Sequence, residues 1–272
     1  MRRKIAVGIV VYNSGENLLE RLKIAVSAGY SVYIFDNSPS SDSVKKFAKQ
    51  YEGLNYYTCG KNVGLGYGIS TVCAQAEIDG FQSLVFFDQD TGFSKETLDF
   101  IEEFYLRRVN LSSDYSAFIF NAKNFTTVDL NENGLKDIDL AINSGSLYFL
   151  ENLKKQHWHD CSYFVDGVDY KFCLDSARLN MKIGECSYTP GFDHVTEQED
   201  SIYALFGKNY QLRPYPWRRI LDTSISSIRL IASSVFSGKW KISKKLVRLF
   251  SIYLISQIYV RVVNFWRLKN NV

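Results

Sequence analysis

Seven consecutive residues without a polar side chain, Ile5-Ala6-Val7-Gly8-Ile9-Val10-Val11, stand near the start of the sequence and constrain the fold more than any other feature. Five of the seven are β-branched, and none of the run alternates with polar residues. That pattern predicts a strand buried on both faces, at the centre of a parallel sheet covered by helices. Asn13-Ser14-Gly15 then turns the chain, and Leu18, Leu19, Leu22, Ala25 and Val26 recur at helical spacing as far as Ala28-Gly29. A second strand is expected over Ser31–Phe35, a second helix from Asp42 to Tyr51 and a third strand over Leu54–Thr58. Glycines at 60, 64, 66 and 68 mark a turn before a helix from about Ile69 to Ile78, and Ser83–Phe87 reads as another apolar strand. Strands alternating with helices over some ninety residues argue for a doubly wound sheet, which binds ligands off the carboxyl ends of its strands. Further on, a helix near Lys95–Val109, apolar segments at Ala117–Phe120 and Ser146–Leu150, a helical stretch over Asp169–Met181 and a strand-like piece near Gly184–Tyr188 complete the reading.

With 22% charged and 46% hydrophobic residues in 272, the chain has the balance of a folded globular protein, which excludes disordered and low-complexity classes. Five cysteines, odd in number and without a C-x-x-C pair, indicate neither a disulfide framework nor a zinc ribbon. The basic start is followed by too short an apolar run for an export signal, so a reduced, intracellular protein is expected. Charge is distributed unevenly. Residues 1–212 hold 20 basic and 28 acidic side chains, whereas residues 213–272 hold 12 basic and a single acid, Asp222. A catalytic or binding domain over 1–212 and a basic amphipathic helical segment over 213–272 are therefore expected. Only the latter suits a polyanionic surface.

Three predicted strand ends carry an acid or amide: Tyr12-Asn13, Asp36-Asn37 and Asp88-Gln89-Asp90. Two carboxylates one residue apart at a buried strand end can face a divalent cation and the diphosphate it neutralises. Such oxygen ligands suit Mg²⁺ or Mn²⁺. The turn Gly60-Lys61-Asn62-Val63-Gly64-Leu65-Gly66-Tyr67-Gly68 lacks the G-x-G-x-x-G spacing and follows the third strand, not the first, which excludes a dehydrogenase fingerprint. It can still bring backbone N–H groups and Lys61 or Asn62 towards phosphate. In Phe164-Val165-Asp166-Gly167-Val168-Asp169, a carboxylate sits at a strand-to-helix transition, as either a helix cap or a general base. His157-Trp158-His159-Asp160-Cys161 has no second ligand pair of zinc spacing and reads as an exposed aromatic-rich loop.

Taken in order, Val10-Val11-Tyr12-Asn13, Phe35-Asp36-Asn37-Ser38, Asn62-Val63-Gly64-Leu65-Gly66, Phe87-Asp88-Gln89-Asp90-Thr91, Asn143-Ser144-Gly145 and Phe164-Val165-Asp166-Gly167-Val168-Asp169 resemble the family 2 glycosyltransferases of GT-A fold. The D-Q-D and F-V-D-x-V-D elements are similar to the bacterial rhamnosyltransferase-like branch. The resemblance covers about residues 4–195. It implies an α/β fold of GT-A type, Rossmann-like, with a mostly parallel central sheet flanked by helices and here a C-terminal helical basic appendage. It also implies that Asp36 contacts the pyrimidine of a nucleotide-sugar donor with Tyr12 beside it, and that Asp88 contacts the ribose or the metal. Asn62 and Gly64 would line the same donor site. Asp90 and His194 would hold Mn²⁺ or Mg²⁺, and Asp169 would be the catalytic base of an inverting transfer. The family pattern continues V-D-x-E-W-C-x-R, and this chain departs from it with Lys171 for the acid and Asp175 for the arginine.

The donor implied is dTDP-rhamnose. A galactofuranosyl- or hexosyltransferase using a UDP-sugar is the alternative, because thymine and uracil differ by one methyl group. The acceptor implied is a lipid-linked glycan in bacterial surface-polysaccharide assembly. A nucleic-acid-binding protein is a distant reading, since the basic segment lacks every common recognition motif. In that segment Arg218, Arg219, Arg229, Lys239, Lys241, Lys244, Lys245 and Arg248 alternate with Trp217, Ile220, Leu221, Ile228, Leu230, Ile231, Phe236 and Trp240, as an interfacial helix requires. The uncharged run Leu249–Val260 falls short of the roughly 20 residues that cross a bilayer. A cytoplasmic protein held peripherally on the inner face of the cell membrane is the expectation. Packing on the catalytic domain or a homodimer interface is the competing one.

Overall fold

The computed structural model describes residues 3–15, 17–40, 42–120, 134–186, 189–190, 192–194, 201–205 and 208–270, with the side chains at 42, 193, 194, 201, 204, 205, 208, 209 and 267–270 left outside the description. In chain order the elements are β1 (Ile5–Val11), α1 (Asn17–Ser27), β2 (Val32–Asp36), α2 (Asp42–Ala48), β3 (Leu54–Thr58), α3 (Leu65–Ile78), β4 (Ser83–Asp88), β5 (Thr91–Gly92) and α4 (Lys95–Arg108). After a 3₁₀ turn come β6 (Tyr115–Phe120), β7 (Lys136–Ile138), β8 (Ser146–Phe149), α5 (Leu150–Lys155), α6 (Val168–Arg178), β9 (Lys182–Cys186) and β10 (Asp193–His194). The last elements are β11 (Ser201–Leu205), β12 (Lys208–Leu212), α7 (Trp217–Phe236) and α8 (Trp240–Asn270). The chain divides into two compact units, 1–195 and 196–272. The charge boundary at Arg213 falls inside the second.

In the first unit, eight strands form one sheet in the order β3-β2-β1-β4-β8-β6-β9-β7. All seven residues of β1 are buried, as their uninterrupted apolar character demands, and β1 pairs in parallel with β2 on one side and β4 on the other. The sheet is parallel over β3-β2-β1-β4 and again between β6 and β9, but β8 runs antiparallel to β4 and β6, and β7 to β9. The reversal of β8 has a local cause. Gly145 donates its N–H to Phe86 O near the carboxyl end of β4, so the chain enters β8 from that end and runs back along the sheet. Beneath the sheet, Phe87 stacks on Phe93 with ring centroids 4.5 Å apart, and Phe118 meets Phe149 edge-on. Helix α4 opens on Ser94, whose hydroxyl accepts from Thr97 N–H, a side-chain cap that satisfies one of the free N–H groups of the first turn.

Two expectations need correction here. Helix α3 begins at Leu65, four residues before Ile69, and so contains Gly66 and Gly68. Both glycines face close neighbours: a Cβ at Gly68 would lie 2.8 Å from Val10 Cγ2, and one at Gly66 2.9 Å from Asp160 O. Gly68 therefore packs α3 against β1, and Gly66 packs it against the backbone at Asp160. The second correction concerns His157–Cys161. His157 and Cys161 are exposed, but His159 is only 2% exposed and its ring lies between Tyr148 and Phe172, stacked on the latter. Burial pushes its imidazole down to about 3, so this histidine is a neutral core residue. The strand expected near Gly184–Tyr188 is β9, Lys182–Cys186; residues 187–188 lie outside the described residues.

The second unit comprises the β11–β12 hairpin and the helices α7 and α8, which pack on each other. The Arg261 guanidinium lies 4.5 Å from the Trp217 ring, and Gln257 bonds the backbone of Arg213 and Tyr215, so the start of α7 is fixed beside the second half of α8. Trp217, Leu221, Ile225, Ile228 and Phe236 are exposed along α7, and Ile252, Ile255, Ile258, Val262 and Phe265 along α8. Ile220 and Leu230, expected on the membrane-facing side, are buried. Trp240–Trp266 is by length and composition apolar enough to cross a membrane. The 12-residue run counted between Arg248 and Arg261 thus belongs to a much longer continuous helix.

Candidate active site at the carboxyl ends of the parallel strands

Strands β2 and β3 lie on one side of β1, and β4 lies on the other. Such a switch point opens a crevice at the carboxyl ends of the strands, and it is where the acidic residues stand. Register places them: Val11 pairs with Asp36, and Val10 with Asp88. Asp36 and Asp88 therefore flank the end of β1, two strand spacings or roughly 10 Å apart, with Tyr12 between them. The Tyr12 ring is 45% exposed, and its backbone N–H is held by Gln89 Oε1 at 2.7 Å.

Asp36 is fully buried. Its Oδ1 accepts from Ser38 N–H at 2.8 Å and its Oδ2 from Tyr56 O–H at 3.0 Å. Asn37 was not singled out from the sequence, yet it orders the glycine turn. Its Oδ1 accepts from Val63 N–H and its Nδ2 donates to Gly64 O, while Asn62 Oδ1 accepts from Gly64 N–H. The sequence signal for it is the amide that follows the acid in Asp36-Asn37-Ser38. Gly64 has φ +93°, and a Cβ there would come 2.8 Å from Phe164 O. Only glycine fits this left-handed position with the 160s loop so near. The turn is fastened to that loop by Leu65 N–H donating to Phe164 O at 2.6 Å.

Asp88, Asp90 and Asp169 form the electrostatic centre. Asp88 is pushed up to about 7, first by burial and then by the negative charges of Asp90 and Asp169. Asp90 in the turn after β4 and Asp169 in α6 thus both act on Asp88, and like charges beside a buried carboxyl make it hold its proton more tightly. Asp169 occupies the second position of α6, after Gly167 at the cap with φ +89°. It is therefore not the helix cap. Its Oδ1 accepts from Tyr170 N–H at 2.8 Å, and burial nevertheless raises it to about 6, with Asp166 adding to the rise. A carboxyl poised near neutrality, on a fixed helix start, has the properties of a general base.

Strand β10 pairs antiparallel with β5, His194 opposite Thr91. The His194 backbone thus stands beside the residue that follows Asp90; its side chain lies outside the described residues. Among the described residues no three His, Cys, Asp or Glu side chains are grouped tightly enough to enclose a metal ion. What the residues do offer is hard carboxylate oxygen and an excess of negative charge, a donor set that suits Mg²⁺ or Mn²⁺ sharing its shell with phosphate and water. The positions that depart from the family pattern face each other. Lys171 Nζ bonds Asp175 and lies 3.5 Å from Asp160, and Arg178 bonds Asp175 from the next turn.

Comparison with known proteins bears on the fold. No curated protein sequence matches the chain. Among solved structures it is similar to TarS of S. aureus, residues 1–349 in complex with UDP-GlcNAc, with a TM-score of 0.58 and 15% identity over 90% of this chain and 71% of that one. It is similar to a longer TarS structure at a TM-score of 0.51 and 17% identity, covering 70% of this chain and 36% of that one. GalNAc-T7 with UDP, GalNAc and Mn²⁺ gives a TM-score of 0.56 at 13% identity, over 85% of this chain and 48% of that one. The chain thus spans between about a third and seven-tenths of the lengths of these proteins. Residues 6–125, from β1 to just beyond β6, match the family model Glycosyl transferase family 2. That match covers a little under half of the chain, and the fold is of the GT-A type seen in these structures.

Proposed function

We propose that the protein is an inverting glycosyltransferase that moves a sugar, rhamnose from dTDP-rhamnose, onto a hydroxyl of a glycan acceptor. The observation that carries this reading is the convergence of Asp88, Asp90 and Asp169 beside Asp36 and Tyr12 at the switch point of the sheet. Asp36 and the exposed Tyr12 ring would flank the pyrimidine, and the Asn62–Gly64 turn and Asp88 the ribose and phosphates. Asp169 would take the proton of the acceptor hydroxyl as its oxygen attacks the anomeric carbon, and the bond to the donor phosphate breaks on the opposite face. Asp90, with His194, would hold Mn²⁺ or Mg²⁺, which supplies Lewis-acid stabilisation of the departing diphosphate. A single displacement of this kind needs positioning and charge stabilisation, not a covalent enzyme intermediate. Support for the nucleotide sugar comes from neighbours of the same fold solved with UDP-GlcNAc and UDP.

The test is a panel of dTDP-rhamnose, UDP-galactofuranose and UDP-hexoses, scored by protection against melting and by slow donor hydrolysis. Protection by dTDP-rhamnose above the others supports the reading. A UDP-sugar that protects best moves it to the hexosyl or galactofuranosyl alternative, and indifference to all of them overturns it.

The acceptor reading rests on the second unit. Its exposed cations, Arg218, Arg219, Lys241, Lys244, Lys245 and Arg248, accompany the exposed Trp217, Leu221, Ile228, Phe236 and Trp240. Lys and Arg near anionic headgroups contribute on the order of 1 kcal/mol each, and apolar side chains add burial in the interface. The protein would then sit on the inner face of the cell membrane, where a lipid-linked acceptor is presented.

A further inference from the structure

The Asn143-Ser144-Gly145 turn has no part in the chemistry above, yet it is among the most firmly held segments of the first unit. Gly145 N–H bonds Phe86 O, Phe120 N–H bonds Gly145 O, and Asn143 Oδ1 accepts from Tyr148 O–H at 2.8 Å. At Gly145, φ is +79° and a Cβ would lie 2.3 Å from Phe120 O. This framework presents one side chain, Ser144, 1% exposed. Its Oγ accepts from Asp88 N–H at 3.2 Å and shares a hydrogen bond of 2.6 Å with Thr91 Oγ1, itself 1% exposed. One hydroxyl thus spans Asp88-Gln89-Asp90-Thr91 from end to end.

We propose that Ser144 is a positioning residue of the donor site: by bonding both ends of the acidic turn, it sets where the carboxylates of Asp88 and Asp90 stand. The inference rests on the donor-site reading above. Two like-charged side chains one residue apart repel each other, and a turn that carries them needs a neutral restraint that adds no charge. A buried hydroxyl on a turn held by three backbone or side-chain bonds meets that need. Thr91 also pairs with His194 in the β5–β10 ribbon, so the same hydroxyl aligns the backbone on both sides of Asp90.

The experiment uses the full chain with Ser144→Ala, Thr91→Val, the double variant, and Thr91→Ser as the conservative control. Binding of dTDP and UDP is measured by calorimetry with and without Mn²⁺, and KM is determined separately for donor and acceptor. Loss of one neutral hydrogen bond corresponds to about 3- to 10-fold. Ser144→Ala and Thr91→Val should each weaken nucleotide binding and raise donor KM by that factor and leave acceptor KM unchanged. The double variant should lose no more than either single one, and Thr91→Ser should bind as the parent does. A merely structural serine would lower the melting temperature and leave donor KM and nucleotide affinity within twofold of the parent, which overturns the assignment. If Ser144→Ala fails to fold, Thr91→Val, a near-isosteric change at the other end of the same bond, decides alone. A parent chain that binds neither nucleotide overturns the donor-site reading and this inference with it; a parent that binds beside an unaffected Ser144→Ala overturns this inference only.

Discussion

Replacing Asp169 by Asn should slow turnover and stabilise the protein, two effects that a helix-cap or surface carboxylate would not combine. Asp169 is raised from an ordinary value near 3.8 to about 6, so the folded state holds its proton through a pH window in which the unfolded chain has released it. Stability therefore falls as pH rises through about 4 to 6, and the full penalty persists above that window. Two pKa units correspond to about 3 kcal/mol. The side chain retains some contact with solvent, and screening brings the figure to about 1–2 kcal/mol. Asn keeps the size of the group and an oxygen for Tyr170 N–H, but carries no charge. For a unit of this size the gain at pH 7.5 is on the order of 2–8 °C in Tm, shrinking to nothing near pH 4. Turnover should fall by roughly 10²-fold or more, the scale of a positioned base, with donor binding retained. Calorimetric melts at pH 4, 6 and 7.5 beside single-turnover transfer assays measure both. A variant whose Tm matches the parent at pH 7.5 refutes the desolvation argument, and near-parental turnover refutes the role as base.

Three further predictions follow from the site and the second unit. Transfer in EDTA should drop at least about tenfold and return with Mn²⁺ or Mg²⁺; undiminished activity in chelator removes the cation from Asp90 and His194. Lys171→Glu places a third acid against Asp160 and Asp175, and should cost about 3 kcal/mol as a broken, largely buried pair, read as a lower denaturation midpoint; adding Asp175→Arg should recover part of the loss. Vesicles containing anionic lipid should capture the chain at low salt, and truncation after Pro216 should abolish capture. Release by high salt identifies surface docking, whereas retention through alkaline extraction identifies insertion of Trp240–Trp266.

Much of this was legible in the sequence for a physical reason. An uninterrupted apolar run such as Ile5–Val11 has few folded environments, and strand ends in a parallel sheet all open on one side, so the sequence alone groups Asp36, Asp88 and Asp90. The start of α3 was misplaced because Gly66 and Gly68 are poor helix formers taken alone; their use depends on the closeness of Val10 and Asp160, contacts remote in sequence. His159 reads as part of an exposed loop because no second ligand pair of zinc spacing accompanies it, and no local pattern announces that one residue of such a loop turns inward to stack on Phe172. Ile220 and Leu230 were indistinguishable from Leu221 and Ile228 for a similar reason: composition shows that a helix is amphipathic, but its partner decides which apolar residues are covered.

The contact between the glycine turn and the 160s loop bears on the order of events in a catalytic cycle. Leu65 N–H is bonded to Phe164 O, Ser70 Oγ is bonded to the backbone of His159, and Gly64 and Gly66 leave no room for either segment to withdraw into the other. The loop so fastened runs directly into Asp166 and Asp169. On the proposed reading, a nucleotide held by the Asn62–Gly64 turn would bear through this contact on the segment that carries Asp169, which would link the two halves of the site. Such linkage would make donor and acceptor affinities depend on each other, which binding of each measured with and without the other would show.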